Sequence, residues 1–226
     1  MRQRVADHRA RGYIGHSLKV DGIPEVDAER IAESTADKQP GEFFLVDGNG
    51  GLTVEATLRM LKMVPRTSDF VLEAPCRTWR ENMSVRRRTD VPMLFDELAT
   101  TEASIVQIVA DDAADGIGLK ITKSGGLTKG RRQRDICLAA GYTISVQDTV
   151  GSEIAFAAIV HLAQTVPEQY LRCILECRDM VTLRVADGAY DGAFHLKEGR
   201  VVAPNAPGLG IKPRLDVLGE PILTFE

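Results

Sequence analysis

The sequence predicts an α/β fold, a barrel of parallel strands with a helix after each strand. Three observations carry this expectation. Short apolar runs rich in branched and aromatic residues alternate along the chain with longer amphipathic stretches. One ionisable residue recurs at or just beyond the end of each run, at intervals of 23 to 28 residues. The glycine-rich segments match no phosphate-binding loop, which an open doubly wound sheet commonly places after its first strand.

In chain order the strand candidates are Ile14 to Val20, Phe43 to Val46, Phe70 to Leu72, Pro92 to Phe95, Ile117 to Leu119, Tyr142 to Val146 and Cys173 to Leu175. Between the first two, Pro24 opens a helix through Ala36, because its fixed φ suits a first turn whose N–H has no intrahelical partner. Thr53 precedes an apolar face at Ala56, Leu58, Leu61 and Val64 and is a natural N-cap. Thr100 or Thr101 caps the segment through Ala110, and Gly141 after Ala139-Ala140 reads as a C-cap before the Tyr142 strand. Strands joined by helices of this length run parallel, since the crossover returns the chain to the same edge in the same direction.

The residues at the strand ends are Lys19, Asp47, Glu73, Asp96, Lys120, Asp148 and Glu176. A closed ring of parallel strands brings all its C-terminal ends to one mouth, so these side chains are expected to converge. Gly48-Asn49-Gly50-Gly51 and Gly125-Gly126 are neither GxGxxG nor the start of a Gly-Lys-Ser/Thr loop, which favours the barrel over the open sheet.

Composition removes several function classes. The 226 residues carry 28 Lys and Arg against 32 Asp and Glu, a net charge of −4, with 44% hydrophobic residues. Such a chain can bury a sizeable core but holds no reservoir of cations for phosphates, which argues against nucleic acid and anionic membranes as partners. Arg86-Arg87-Arg88 reads as a solvated helix end. No apolar run approaches the roughly eighteen residues of a membrane span, and Met1-Arg2-Gln3-Arg4 leads into no apolar signal core, so a cytoplasmic location is expected. Cys76, Cys137, Cys173 and Cys177 form no CxxC pair, and His8, His16, His161 and His195 share no ligand spacing; reduced packing thiols and packing or surface histidines follow.

Asp47, Glu73 and Asp96 end three successive strands, and three carboxylates at one mouth repel unless a cation holds them. Oxygen donors without His or Cys favour Mg²⁺; the alternative is that each acid caps the helix after it. Lys19 and Lys120 flank the trio. Either they are general acid/base groups, with a pKa lowered by desolvation or a nearby cation, or they neutralise neighbouring carboxylates.

His16-Ser17-Leu18-Lys19-Val20, Val46-Asp47-Gly48-Asn49-Gly50-Gly51, Leu72-Glu73-Ala74-Pro75, Phe95-Asp96-Glu97 and Leu119-Lys120-Ile121-Thr122-Lys123-Ser124-Gly125-Gly126, in that order, resemble the barrel motifs of the enolase superfamily, in its mandelate racemase and muconate lactonizing group. Gln147-Asp148-Thr149-Val150-Gly151-Ser152-Glu153-Ile154, with Leu175-Glu176-Cys177-Arg178-Asp179-Met180, is most similar to cis-3-hydroxy-L-proline dehydratases and also to 4-hydroxyproline betaine epimerases. The resemblance implies an enolase-type (β/α)-barrel with Asp47, Glu73 and Asp96 as Mg²⁺ ligands, Lys19 and Lys120 as the acid/base pair and Asp148 as partner of a cationic ring nitrogen. It also implies a small hydroxyproline-like carboxylate as substrate, an ene-diolate after α-proton removal, and loss of water. Epimerisation shares the first half-reaction.

Residues 1–226 read as one barrel domain with a tail over 187–226, including Pro204-Asn205-Ala206-Pro207-Gly208-Leu209-Gly210-Ile211. Two departures accompany the resemblance. The group commonly carries Lys-x-Lys where this chain has Ser17-Leu18-Lys19. Its members also begin with an α+β capping domain and a first barrel strand, whereas residue 1 here lies just before what resembles the first barrel helix, Arg4 to Arg11. A barrel without its first strand and lid is therefore expected, with exposed edges that favour a homo-oligomer. A truncated, non-catalytic remnant is the alternative to an enzyme.

Overall fold

The computed structural model describes residues 1–149, 151–175, 189–192, 194 and 197–224. Its elements run α1 (Arg2–Ala10), β1 (Gly15–Lys19), α2 (Pro24–Thr35), β2 (Phe43–Asp47), α3 (Val54–Met63), β3 (Val71–Glu73), α4 (Trp79–Arg86), β4 (Met93–Phe95) and α5 (Glu102–Ala110). They continue with β5 (Gly116–Lys120), α6 (Ile121–Ser124), α7 (Leu127–Ala140), β6 (Thr143–Gln147), α8 (Glu153–Ala163), β7 (Leu171–Ile174), β8 (Tyr190–Asp191), β9 (Lys212–Pro213) and α9 (Leu215–Leu218). Strands β1 to β7 form one parallel sheet in sequence order, curled into a nearly closed barrel, while β8 and β9 pair antiparallel.

The caps fall where side-chain chemistry places them. Thr53 Oγ1 accepts from the Ala56 N–H at 3.1 Å and starts α3. Thr101, rather than Thr100, caps α5 and exchanges bonds with Ser104, and Thr78 and Glu81 form a full capping box on α4. Gly141, at φ 75°, closes α7 in the left-handed region open to glycine. After β5, Gly125 ends α6 after one turn and Gly126 starts α7, which lets the chain turn sharply at the strand end.

Residues on the strands pack on both faces, as parallel sheets require. The face toward the helices joins the main core, with Phe44, Val46, Leu72, Phe95, Ile117 and Leu119 among its buried members. Inside the ring lies a separate small cluster of Leu45, Val71 and Leu94 with Phe43. Arg172 of β7 lies over the Phe43 ring at 5.6 Å and donates to Thr143 Oγ1 at 2.8 Å, joining the two sides of the ring below the strand tips.

The expectation for Arg86 changes at this level, while the packing expected of His16 and the free thiols hold. Arg86 is half-buried rather than freely solvated, forking onto Asp115 at 2.6 and 3.0 Å, whereas Arg87 and Arg88 are exposed as expected, with Arg88 turned back onto Ser84. His16 faces the helices, not the mouth, between His8 and Phe44 and 3.4 Å from Glu42 Oε1. Trp79 packs edge-on against Phe95 in the barrel wall. Cys76, Cys137 and Cys173 are free thiols; Glu176, Cys177 and His195 lie outside the described residues. Among the described residues no helix is long and apolar enough to cross a membrane.

Candidate active site at the strand ends

Strand register brings the sequence-spaced charges together. Lys19 stands opposite Asp47, and Asp47 opposite Glu73. Glu73 pairs with Leu94, two residues before Asp96, and Lys120 pairs with Gln147. Alternation sets the side chains: on β5, Gly116, Gly118 and Lys120 share one face, and on β2, Phe43, Leu45 and Asp47 do.

Asp47 is buried, yet both its oxygens are engaged. Oδ1 accepts from the Asn49 N–H at 2.8 Å, and Oδ2 accepts from the Asn49 amide at 3.0 Å and from the Lys19 ammonium. Asn49 occupies φ 45°, a left-handed conformation that Asn tolerates better than most residues, and from there its Oδ1 accepts from Lys19 Nζ at 2.7 Å. Its amide also reaches Glu97 Oε1 at 3.2 Å. Asp96, fully buried, receives Lys120 on Oδ2 and Lys123 on Oδ1 at 3.0 Å.

Glu73 differs from both. It is 1% exposed; Oε1 accepts from Gln147 Nε2 at 2.8 Å and the buried Oε2 has no partner among the described residues. Burial, followed by the charges of Asp47 and Asp96, pushes the Glu73 carboxyl up to about 8. Lys120 does not show the lowering expected of a base. Burial disfavours its ammonium, but Asp96, Glu73 and Glu97 outweigh burial and hold its pKa above the ordinary lysine value.

Asp148, one residue beyond β6 and buried, is divided in the same way as Glu73. Its Oδ2 accepts from the Gly151 N–H at 2.7 Å and so shapes the turn into α8, while Oδ1 is buried without a partner among the described residues. A Cβ on Gly151 would lie 2.5 Å from the Ala155 methyl, so the turn needs glycine there.

Among the described residues, no three His, Cys, Asp or Glu side chains already stand as an ion-holding group. The lysines explain why: each aspartate is drawn onto an ammonium, and Glu73 onto an amide. The donor chemistry nevertheless suits a hard divalent cation. All three groups are carboxylates on neighbouring strand ends, one carries a buried oxygen without a partner among the described residues, and burial together with the Asp47 and Asp96 charges raises the Glu73 pKa.

The structure thus gathers Lys19, Asp47, Glu73, Asp96 and Lys120 at the ends of β1 to β5, with Asp148 just past β6. Sequence reasoning gave no role to Gln147, Gly118, Asn49 or Lys123. For two of them a signal was present: Gly118 and Lys120 alternate on β5, and Gln147 ends β6 level with Lys120.

The match to known proteins is extensive. The model of the family described as Enolase C-terminal domain-like covers residues 1–217. The cis-3-hydroxy-L-proline dehydratase of Roseibium aggregatum is 36% identical over 225 residues, all of this chain and 60% of that protein. A crystal structure from Aspergillus oryzae, described as of a mandelate racemase/muconate lactonizing enzyme, superposes with a TM-score of 0.91 at 64% identity over 98% of this chain and 60% of that one. One from Roseovarius nubinhibens, so described and complexed with magnesium, gives 0.92 at 49% identity over 100% and 62%. The chain spans about 60% of the length of these relatives.

Proposed function

The chain belongs to the Enolase C-terminal domain-like family, and from that premise we propose that it is the barrel of a Mg²⁺-dependent lyase that takes the α-proton from cis-3-hydroxy-L-proline and eliminates water. The observation that carries this reading is the placement of two lysines, Lys19 from β1 and Lys120 from β5, on the two flanks of three strand-end carboxylates. Asp47, Glu73 and Asp96 would hold the ion. Mg²⁺ bound there supplies positive charge that acidifies the α-carbon of a carboxylate substrate and relieves the anionic field that keeps Lys120 protonated.

One lysine, unprotonated, accepts the α-proton. The electron pair of that C–H bond passes into the substrate carboxylate as an ene-diolate, and its return forms the double bond to the β-carbon as the C–O bond breaks, while the other lysine, protonated, gives its proton to the departing hydroxyl so that water leaves. The enamine left in the ring tautomerises to a cyclic imine. Asp148, with one buried oxygen unpartnered, supplies the negative charge that fixes the ring ammonium. Lysines on two strands also suit a second reading, epimerisation, in which the opposite lysine returns a proton to the other face of a substrate without a β-hydroxyl.

The test is NMR of the protein in D₂O with Mg²⁺ and either cis-3-hydroxy-L-proline or a proline betaine. Loss of the hydroxyl, abolished in Lys19→Ala and in Lys120→Ala, is expected. Deuterium at Cα with the hydroxyl retained would replace dehydration by epimerisation, and turnover that survives both substitutions would overturn the acid/base assignment.

A further inference from the structure

The bond between Gln147 and Glu73 crosses the ring. Gln147 ends β6 and Glu73 ends β3, with β4 and β5 between them in the sheet, and the two side chains meet at 2.8 Å with each residue 1% exposed. Gly118 of β5 lies directly under the contact. A Cβ at that position would stand 2.7 Å from Glu73 Oε1, 3.0 Å from Gln147 Nε2 and 3.3 Å from Asp96 Cβ, so any other residue would push the amide and both carboxylates apart. A buried amide in a ring of acids is costly unless it donates, and here it donates to one carboxylate oxygen of the three-acid group while the other oxygen of the same carboxylate has no partner among the described residues.

We propose that Gln147, admitted by Gly118, is a positioning residue that withholds Glu73 Oε1 from the cation and presents Oε2 alone, and that it thereby sets the preference of the site for Mg²⁺ over Ca²⁺. The inference rests on the reading of Asp47, Glu73 and Asp96 as cation ligands. The physical reason is coordination number. Mg²⁺ requires a compact octahedral shell and takes carboxylates through single oxygens, whereas Ca²⁺ accepts six to eight oxygens and readily takes both oxygens of one carboxylate. A carboxylate with one oxygen held by an amide offers the first kind of ligand; released from the amide, it offers the second. Partners of metal ligands typically change affinity by about 10- to 100-fold when removed.

The experiment is calorimetric titration of Mg²⁺ and of Ca²⁺ into the parent protein, Gln147→Met and Gly118→Ala. Methionine keeps the length and bulk of glutamine without the donor, and Gly118→Ala keeps Gln147 but wedges the contact open. Both substitutions are expected to weaken Mg²⁺ by about 10- to 100-fold and Ca²⁺ by far less, moving the ratio of the two Kd values at least about tenfold toward Ca²⁺. General damage to the fold lowers both affinities together and leaves the ratio in place; that result overturns the proposal. Should Gln147→Met not fold, Gln147→Asn, whose amide falls short of Glu73, reads the same ratio. A parent protein that binds neither ion refutes the metal reading itself, whereas Mg²⁺ binding by the parent with an unaltered ratio in the variants refutes the role of Gln147 alone.

Discussion

Replacing Glu73 by Gln should make the metal-free protein more stable in mild alkali. The carboxyl is pushed from 4.5 to about 8 by burial and by Asp47 and Asp96, so the folded chain holds this proton more tightly than the unfolded chain does. The sign follows from linkage: the favourable contribution of the protonated group is complete below about pH 4.5 and is lost progressively as the pH rises to about 8. A displacement of that size, at about 1.4 kcal/mol per pH unit, amounts to roughly 5 kcal/mol as an order of magnitude, a large part of the stability of an ordinary domain. Glutamine keeps the shape and still accepts the Gln147 amide, but has no proton to lose. Urea unfolding followed by the fluorescence of Trp79, in EDTA from about pH 5 to about pH 8.5, should show the parent losing several kcal/mol relative to Glu73→Gln. His16, whose pKa is lowered by burial, drives stability the other way, so the comparison is between the two proteins at each pH and not between pH values. Parallel stability curves would show that Glu73 is not the strained acid described here.

Three further substitutions test other parts of the molecule. Arg9 forks onto the buried Glu42 at 2.5 and 2.8 Å and holds its carboxyl down to about 2, so Arg9→Ala should cost about 3 kcal/mol in urea unfolding at neutral pH. The same substitution should flatten the parent's loss of stability as the pH falls from about 4.5 to about 2, because Glu42 stabilises only while ionised. Leu94→Ala, in the small cluster inside the ring, should destabilise by about 2–5 kcal/mol in the same assay, since Leu45, Val71 and Phe43 cannot close over the gap. Asp148→Asn keeps an oxygen for the Gly151 N–H but removes the charge; steady-state kinetics should give a KM raised by about 10- to 100-fold for a substrate with a cationic ring, with kcat far less changed.

The alternation of strands and helices, and the residues at each strand end, were legible in the sequence because strand period, helix caps and glycine stops are local properties. Lys19, Asp47, Glu73, Asp96 and Lys120 stand out for the same reason: each is the charged residue that interrupts an apolar run. What local reading missed is what forms across the ring. The Gln147 to Glu73 bond spans 74 residues of chain, and the need for glycine at Gly118 exists only once Glu73, Gln147 and Asp96 surround it. Arg86 appeared solvated because its neighbours Arg87 and Arg88 are charged, yet its partner Asp115 lies 29 residues away. The state of Lys120 was unreadable too, since its pKa depends on the sum of Asp96, Glu73 and Glu97 against burial.

Each of the βα units from β1 to β5 brings one charged side chain to the mouth: Lys19, Asp47, Glu73, Asp96 and Lys120 in turn. The mouth therefore reports on the integrity of the sheet: fraying any one of β1 to β5 removes a group that the proposed ligand set or acid/base pair requires. Cation affinity and global unfolding should rise and fall as a single cooperative quantity, and a nick between two units should be silent only while the severed pieces stay docked.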